Sequence, residues 1–192
     1  DELTSNLDVT LQAQVLQYHK DVQQKYHSSV ILITHDMGVI ARMADDVAVM
    51  YAGSIVESTD TRTLFKRPAH PYTWLLFQSI PRLDKPDLPL LAMKGSPPSM
   101  VDLPDQCPFL PRCPKATMTC RLSPRPQLEE IEPGHFVACY NVVVAGPGLL
   151  GRIHDREGAF DVAVVIARHL GNDIRRMIRP NWPPGDGYPR QH

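Results

Sequence analysis

The chain has 192 residues, of which 43% are hydrophobic and 21% charged, and its formal net charge is −1. These values are close to those of soluble globular proteins, so they exclude disorder along the whole chain and give no global basic field for binding nucleic acid. No apolar run reaches the roughly 18 residues that a membrane span needs. The acidic start, Asp1-Glu2 without an initiator Met, is unlike a signal peptide and leads us to expect a fragment.

The first 67 residues contain no proline and alternate helix and strand patterns. Thr10 is predicted to cap a helix that runs to about Tyr26. The apolar run from Val30 to Thr34 predicts a strand buried on both faces, as in a parallel sheet. Further along we predict a helix from Met37 to Met43, a strand from Asp46 to Tyr51, a turn at Gly53, a strand from Ser54 to Glu57 and a helix from Thr61 to Phe65. This alternation predicts an α/β fold.

The remaining residues hold all 19 prolines, fourteen of them between residues 68 and 133. A helix from Tyr72 to Ile80 is predicted after His70, and residues 81–105 are predicted to lie extended over a surface. Residues 141–192 have seven arginines and no lysine, which suggests a different origin for this tail. A helix is predicted within it from Asp161 to Ile178. One interpretation of this segment is a basic helix face that meets a membrane or a partner, formed by Arg168, Arg175, Arg176 and Arg179. The favoured interpretation is a marginal or misplaced tail without such a role.

Two acidic residues and one histidine are candidates for chemistry at strand ends. His35 directly follows the strand predicted at Val30–Thr34, and Asp1-Glu2 would follow another strand if residues upstream formed one. Adjacent carboxylates can divide the work, one holding Mg²⁺ through water and the other orienting or deprotonating a nucleophilic water. From spacing alone, however, a solvated acidic pair and a structural histidine are the favoured interpretations.

Several motifs resemble one known family. The segment from Asp1 to Asp8 is similar to the end of the Walker B strand and the D-loop of ABC transporter ATPases, and residues 33–36 are similar to their switch-histidine segment. The strand pair at residues 44–57 resembles the strands that follow in that family. Residues 70–73, 95–98 and 107–139 are similar to the branch that imports oligopeptides and dipeptides, and in some cases nickel. The resemblance covers about residues 1–140 in order.

The resemblance implies a C-terminal fragment of a P-loop NTPase domain of the ABC ATPase type, followed by a small proline- and cysteine-rich loop module. The implied boundaries are residues 1–67 for the ATPase part, 68–140 for the extension and 141–192 for an unassigned tail. The implied cofactors are ATP and Mg²⁺, and the implied partners are a second ATPase subunit and membrane permeases at the cytoplasmic face of the inner membrane. The implied site comprises Asp1 in the Mg²⁺ shell through water, Glu2 as general base or water-orienting carboxylate, His35 at the γ-phosphate, and Ser5 and Asp8 in the D-loop against the partner.

The chain also departs from that family. Leu3 stands where the family usually has proline, and Asn6 stands where alanine is common. The sequence contains no Gly-x-x-x-x-Gly-Lys-Ser/Thr phosphate loop and no signature motif, so we expect the chain alone to bind and hydrolyse ATP poorly. Because only two or three strands of the resembled sheet would remain, with an exposed edge and exposed apolar faces, we also expect the chain to be marginally stable and to associate. Two alternatives stay open at this point: a non-catalytic interaction module, and a non-functional truncated product.

The four cysteines, Cys107, Cys113, Cys120 and Cys139, are candidate metal ligands. Four thiolates can hold one [4Fe–4S] cluster or one Zn²⁺, although zinc sites usually contain a closer cysteine pair. Some relatives in the resembled branch carry such a cluster, which favours it here. Disulfides are disfavoured by the absence of a secretory signal, and four thiols without a ligand remain an alternative. His135 is a fifth candidate, for which packing is the favoured role.

Overall fold

The computed structural model describes residues 2–4, 6–80 and 93–143, together with the backbone of the strand at 164–168. Six strands of the described chain form one sheet, with helices packed on it. In chain order the elements are α1 (Val9–Tyr26), β1 (Val30–Thr34), α2 (Met37–Met43), β2 (Asp46–Tyr51), β3 (Ser54–Asp60), α3 (Thr61–Lys66), α4 (Pro71–Gln78), a 3₁₀ turn (Leu110–Arg112), α5 (Met118–Leu122), β4 (Glu129–Glu132), β5 (His135–Val137) and β6 (Val164–Arg168). The mixture of helix and sheet agrees with the predicted α/β class.

The strand order is β1-β6-β2-β3-β5-β4. Strand β6 is antiparallel to both β1 and β2, so β1 and β2 run parallel to each other, as expected for strands joined by α2. The β2–β3 connection is a tight turn in which Ala52 and Gly53 both have positive φ, of 46° and 72°. That conformation matches the right-handed twist of a hairpin and suits glycine, as predicted at Gly53.

Most element boundaries predicted for the first segment are close to those observed, but one cap is wrong. Asp8, not Thr10, caps α1, because its carboxylate accepts hydrogen bonds from the backbone N–H groups of Thr10 and Leu11 at 2.9 and 3.0 Å. Asp8, two residues earlier, is a better cap than Thr10, since its negative charge also interacts favourably with the positive end of the helix dipole. The predicted strand at Ser54–Glu57 is also longer than expected and ends at Asp60.

Strand β1 has the predicted bounds, but the expectation that it is buried on both faces is wrong. It lies at the end of the sheet in the described residues, and the side chain of Ile31 is 54% exposed. A strand at the edge of a sheet has a neighbouring strand on one side only, so fewer residues cover its side chains. A continuous apolar run therefore does not by itself show that both faces of a strand are buried. Strands β4, β5 and β6 extend the sheet beyond the strands predicted within the first 67 residues.

In the proline-rich segment the sequence pattern predicts no strands, whereas the structure has β4 and β5 there. Gly134, with φ of 78°, forms the turn between these short strands, and β5 pairs with β3 through Glu57 and Ser58. The helix predicted at Asp161–Ile178 is wrong in its first half, where Val164–Arg168 is a strand. Three consecutive β-branched residues there favour an extended backbone. The rest of that predicted helix lies outside the described residues, as do residues 81–92 of the predicted extended stretch.

The hydrophobic core comprises residues of the sheet and of helices α1 to α4, and residues from both sides of position 67 contribute to it. Three aromatic rings form its centre: Tyr51 packs on Tyr72 and Phe109 with ring centroids 4.7 and 5.2 Å apart. Phe109 is fully buried although it lies between prolines and cysteines. This ring therefore joins the cysteine-containing loops to the sheet. None of the helices among the described residues is long and apolar enough to cross a bilayer.

Candidate functional site

The structure brings two of the predicted site residues together at the end of β1. The Nδ1 atom of His35 lies 3.3 Å from the Glu2 carboxylate. The backbone N–H of Glu2 donates to the carbonyl of Ile33 at 2.8 Å, which fixes the start of the described chain beside the strand. Glu2 adopts a positive φ of 41°, a conformation that costs a non-glycine residue energy and is often found at functional sites. Both side chains are about half exposed, so this pair contributes little to stability and can meet a ligand from solvent.

A small polar network holds the turn that carries His35. Asp36 caps α2, accepting from the backbone N–H groups of Gly38 and Val39 at 2.7 and 3.2 Å. The side-chain amide of Gln12 in α1 donates to the other Asp36 oxygen at 2.9 Å and to the Thr4 hydroxyl at 3.1 Å. Gln12 therefore ties the segment after Glu2 to the turn around His35. No sequence pattern points to this residue, because a glutamine on a helix face is usually solvated.

The other predicted residues of this site are placed less directly. Asp1 and Ser5 lie outside the described residues. Asp8 is described, and its carboxylate accepts the two hydrogen bonds that cap α1, so it is used within the chain. Its predicted contact with a partner subunit stays a prediction.

All four cysteines line a single recess, which also contains His70 and Lys115. The remaining lining residues are mostly apolar, Phe109 and Leu110 among them, and the empty space is about 330 Å³ when its open mouth is included. All four side chains are thiols rather than disulfides. No three His, Cys, Asp or Glu side chains of the described chain are arranged to hold a single metal ion. The recess thus gathers the four predicted ligands without forming a one-ion site.

Hydrogen bonds from the backbone reach three of the four sulfur atoms. The N–H of Asn141 donates to the sulfur of Cys139 at 3.3 Å. The backbone N–H groups of Phe109 and Leu110 lower the pKa of Cys107, and that of Lys115 lowers the pKa of Cys113. In each case the donor follows its cysteine by two or three residues. Such donors stabilise thiolate charge at a sulfur-ligated centre.

Burial disfavours the thiolate form of these three cysteines as long as no cation compensates the negative charge. Burial raises the pKa of Cys107 and of Cys113, and it raises the pKa of Cys139 to about 12, with the neighbouring cysteines adding to that effect. The guanidinium of Arg125 lowers the pKa of Cys107 and so acts in the opposite direction. The three thiols are therefore protonated at neutral pH in the absence of a cation, and a bound metal centre would have to displace their protons.

A buried carboxylate next to this recess has no counterpart among the predicted site residues. Glu57 in β3 is fully buried and accepts hydrogen bonds from the backbone N–H groups of Ala69 and His70, at 2.7 and 2.9 Å, and from Nε2 of His135 at 2.8 Å. His135 thus has the packing role favoured from the sequence. Glu57 fixes the backbone at His70, whose ring lines the cysteine recess. The sequence alone does not reveal that Glu57 organises these hydrogen bonds, because its partners are brought to it only by the fold.

His70 itself caps α4, because its Nδ1 accepts from the backbone N–H of Tyr72 at 3.0 Å. Its side chain is buried, and burial lowers the pKa of His70 to about 4 against the opposing attraction of Glu57. The ring is therefore neutral at physiological pH. The sequence predicts that a helix begins after His70, and this is correct. It does not indicate that the ring of His70 lines the cysteine recess.

Comparison with known proteins finds one family match and several similar relatives. Residues 56–120 match the family described as "Oligopeptide/dipeptide transporter, C-terminal region". The chain is 42% identical over 143 residues to the oligopeptide transport ATP-binding protein OppD of Salmonella typhimurium, covering 74% of this chain and 42% of that protein. It is 48% identical over 140 residues to AppD of Bacillus subtilis and 45% identical over 141 residues to the dipeptide transport ATP-binding protein DppD of the same organism, each covering 73% of this chain and 42% of the relative. The chain therefore spans about two fifths of the length of these curated relatives.

Proposed function

We infer that this chain contributes the hydrolytic end of an ATP site. The chain belongs to the ATP-binding subunits of the oligopeptide/dipeptide branch of ABC importers and corresponds to their C-terminal part. The complete subunit would couple ATP hydrolysis to the uptake of dipeptides or oligopeptides. It would work as a peripheral protein at the cytoplasmic face of the inner membrane, with a second ATPase subunit and membrane permeases.

The observation that carries this proposal is the contact between Glu2 and His35 at the end of β1. An imidazole that donates from Nδ1 to the carboxylate presents Nε2 toward solvent, where it can contact a transferring phosphoryl group. The carboxylate can accept a proton from an attacking water on the same side. The residues fit this end of a nucleotide site only, because the sequence has no phosphate loop to cradle the β- and γ-phosphates.

The proposal is tested by grafting residues 1–143 of this chain onto the N-terminal part of Salmonella OppD in place of the matching segment. We expect the hybrid to restore uptake of a labelled tripeptide in cells that lack their own OppD. The matched control replaces the exposed His27 with Asn and should retain uptake, whereas His35→Ala should abolish it. A hybrid that is expressed and binds ATP but transports equally well with His35→Ala would contradict the assignment.

We further propose that the cysteine recess holds an iron–sulfur cluster. Its support is the convergence of Cys107, Cys113, Cys120 and Cys139 on one recess, with backbone donors to three of the sulfurs. A four-iron cluster spaces its thiolate ligands more widely than a single tetrahedral ion does, which agrees with the lack of a one-ion arrangement among the described residues. When bound, the cluster would cross-link loops that otherwise contain little regular structure.

The second proposal is tested on the chain prepared without oxygen. The measurements are its iron content, its acid-labile sulfide content and its visible absorbance near 400 nm. We expect about four irons per chain, with loss of the absorbance in Cys113→Ser. Met118→Ser, an exposed change in α5 close to Cys120, is the matched control and should keep the cluster. Binding of one zinc and no iron, or of no metal at all, would contradict the cluster.

A further inference from the structure

His70 has one hydrogen-bonding atom that the described structure leaves unused. Its side chain is 1% exposed, and Nδ1 accepts from the backbone N–H of Tyr72. The other ring nitrogen, Nε2, is fully buried and has no hydrogen-bond partner in the part of the chain that the structure describes. Buried polar groups are rarely left unpaired, so this atom needs an explanation.

The position of the ring proton follows from the partner of Nδ1. The N–H of Tyr72 can only donate, so Nδ1 must offer it a lone pair. In a neutral imidazole the single proton then lies on Nε2. The unused atom is therefore a buried N–H donor that lacks an acceptor.

The surroundings of the ring narrow down which acceptor it could have. His70 lines the recess formed by the four cysteines, and its ring lies 6.0 Å from that of Phe109, centroid to centroid. Apart from the sulfur atoms, the recess is lined mainly by apolar side chains such as Leu110, together with the cationic Lys115 and the polar Tyr140 and Asn141, neither of which accepts a hydrogen bond from Nε2 in the described structure. As the bare thiols stand, none of their sulfurs accepts a hydrogen bond from Nε2. An occupant of the recess that carries negative charge on sulfur would supply the missing acceptor.

We propose that Nε2–H of His70 donates a hydrogen bond to a sulfur atom of the cluster held by Cys107, Cys113, Cys120 and Cys139. This inference rests on the cluster put forward under the proposed function. His70 is then a positioning residue and not an iron ligand, because ligation through Nε2 would require the proton that the Tyr72 contact places there to be lost. The backbone N–H of His70 donates to the Glu57 carboxylate at 2.9 Å, so the donor is fixed before the cluster binds.

The hydrogen bond has a measurable electronic consequence. A donor to a cluster sulfur stabilises the more negative, reduced state and so raises the reduction potential. Removing it should favour the oxidised state. We expect about a tenfold change in the ratio of reduced to oxidised cluster at a fixed potential, which for one electron corresponds to a fall of about 59 mV.

Two substitutions separate the cap from the donor. His70→Asn keeps a side-chain acceptor for the Tyr72 N–H, since asparagine is a good N-cap, but it lacks an atom at the Nε2 position. His70→Gln reaches further and can place an amide N–H close to that position. His27→Asn, at the exposed end of α1, is the matched control. All variants are made in the 192-residue chain and loaded with iron and sulfide without oxygen.

The potential is measured by a dye-mediated titration followed by electron paramagnetic resonance. Chain labelled with ¹⁵N-histidine should also show a weak nitrogen coupling to the reduced cluster. We expect His70→Asn to lower the potential and remove the coupling, His70→Gln to restore part of the potential, and His27→Asn to change neither.

The failures of the two proposals differ. Wild-type chain that takes up no iron would overturn the cluster and this inference together. A loaded chain whose potential and coupling are unchanged in His70→Asn would overturn only the role of His70, and a strong coupling typical of a directly bound nitrogen would do the same. If His70→Asn does not fold, the tautomer is read from ¹⁵N chemical shifts in the metal-free wild type. A proton on Nδ1 would overturn the inference, and one on Nε2 would support it.

Discussion

Among single residues, Glu57 is the most heavily used polar side chain near the cysteine recess. Its carboxylate is fully buried and has three hydrogen-bond donors from two different segments, the backbone at 69–70 and the ring of His135. A buried carboxylate is costly unless its acceptors are used, and here the donors come from residues far along the chain. The residue therefore joins β3 to β5 and to the start of α4.

Replacing this carboxylate should destabilise the chain strongly. We expect Glu57→Ala to lower the free energy of unfolding by about 3–5 kcal/mol, because two backbone N–H groups and one imidazole lose their shared partner. Urea denaturation followed by circular dichroism measures this change. The matched control is Glu129→Ala in β4, whose side chain is exposed and should change stability by less than about 0.5 kcal/mol. Equal effects of the two variants would contradict the role of Glu57.

The stability of the metal-free chain should also depend on His70 as the pH falls. Its pKa is lowered from 6.5 to about 4 in the folded chain, so the unfolded chain takes up the proton first. The stability that the neutral ring contributes is complete above about pH 6.5 and is lost as the pH falls from there through 4. The loss is roughly 3 kcal/mol. Urea denaturation between pH 7 and 4 should show a shallower decline in His70→Asn than in the wild type; parallel curves would contradict this.

Among the elements, the helix caps position the turns that carry the candidate ATP site. Asp8 begins α1 and Asp36 begins α2, and each accepts from two backbone N–H groups. A cap of this kind is worth about 1 kcal/mol and sets the residue at which the helix starts. These two caps therefore fix the backbone of the segment after Glu2 and of the turn around His35, where the two helices begin.

Removing the first cap gives a direct test. We expect Asp8→Ala to lower the free energy of unfolding by about 1 kcal/mol, whereas Asp8→Asn should keep most of the stability because asparagine caps nearly as well. Thermal denaturation of both variants measures the difference. A loss in Asp8→Asn as large as that in Asp8→Ala would show that charge, and not capping, is what matters at this position.

The link between α1 and the His35 turn is testable separately. Gln12→Leu removes the hydrogen bonds to Thr4 and Asp36, and we expect a cost of about 1–2 kcal/mol. Hydrogen exchange should become faster at residues 2–8 while the amides of β3 keep their protection. Gln17→Leu, on the exposed face of the same helix, is the control. Unchanged exchange at residues 2–8 would contradict the link.

The elements also show how far the sequence alone can lead. Helix α2 and strands β1 and β2 have the bounds that the sequence predicts, because their apolar pattern is strong and their ends carry turn residues. Strands β4 and β5 escape prediction, because Glu129–Glu132 is acidic and exposed and its strand structure comes from pairing with β5. Strand β6 is predicted as helix although its three consecutive β-branched residues favour a strand, and it pairs with both β1 and β2.

The two candidate sites are predictable to different extents. The role of His35 is indicated by its place after a strand and by the family resemblance, whereas its 3.3 Å contact with Glu2 requires the fold. The convergence of the four cysteines is an expectation that spacing cannot establish, because 18 residues separate Cys120 from Cys139. Nothing in the sequence indicates that Glu57, through the backbone of His70, supports the same recess.

For the molecule as a whole, the described surface carries several large apolar side chains that are exposed. Those on α1 and β1 are Val9, Leu11, Tyr18, Tyr26 and Ile31, which are 46–68% exposed. The chain spans about two fifths of its relatives' length, so a surface of this kind is consistent with contacts made in the complete subunit.

We therefore expect the isolated chain to self-associate, in line with the expectation from its sequence. Sedimentation velocity at increasing concentration should show a rising mean sedimentation coefficient. The double substitution Val9→Glu and Ile31→Lys should shift the distribution toward monomer, whereas Met118→Lys in α5, also exposed, should not. A wild-type chain that is monomeric and unfolds cooperatively at all concentrations would contradict this expectation.

Above all, we propose that this chain supplies the catalytic histidine of an ATP site whose phosphate loop it lacks. The decisive experiment is the rate of ATP hydrolysis by the purified hybrid with Salmonella OppD, compared with His35→Ala, alongside the Kd for Mg-ATP. We predict a loss of about 100-fold or more in kcat with little change in Kd, because His35 acts on the transferring phosphoryl group. Equal hydrolysis by the two proteins, with equal ATP binding, would show that His35 has no such role.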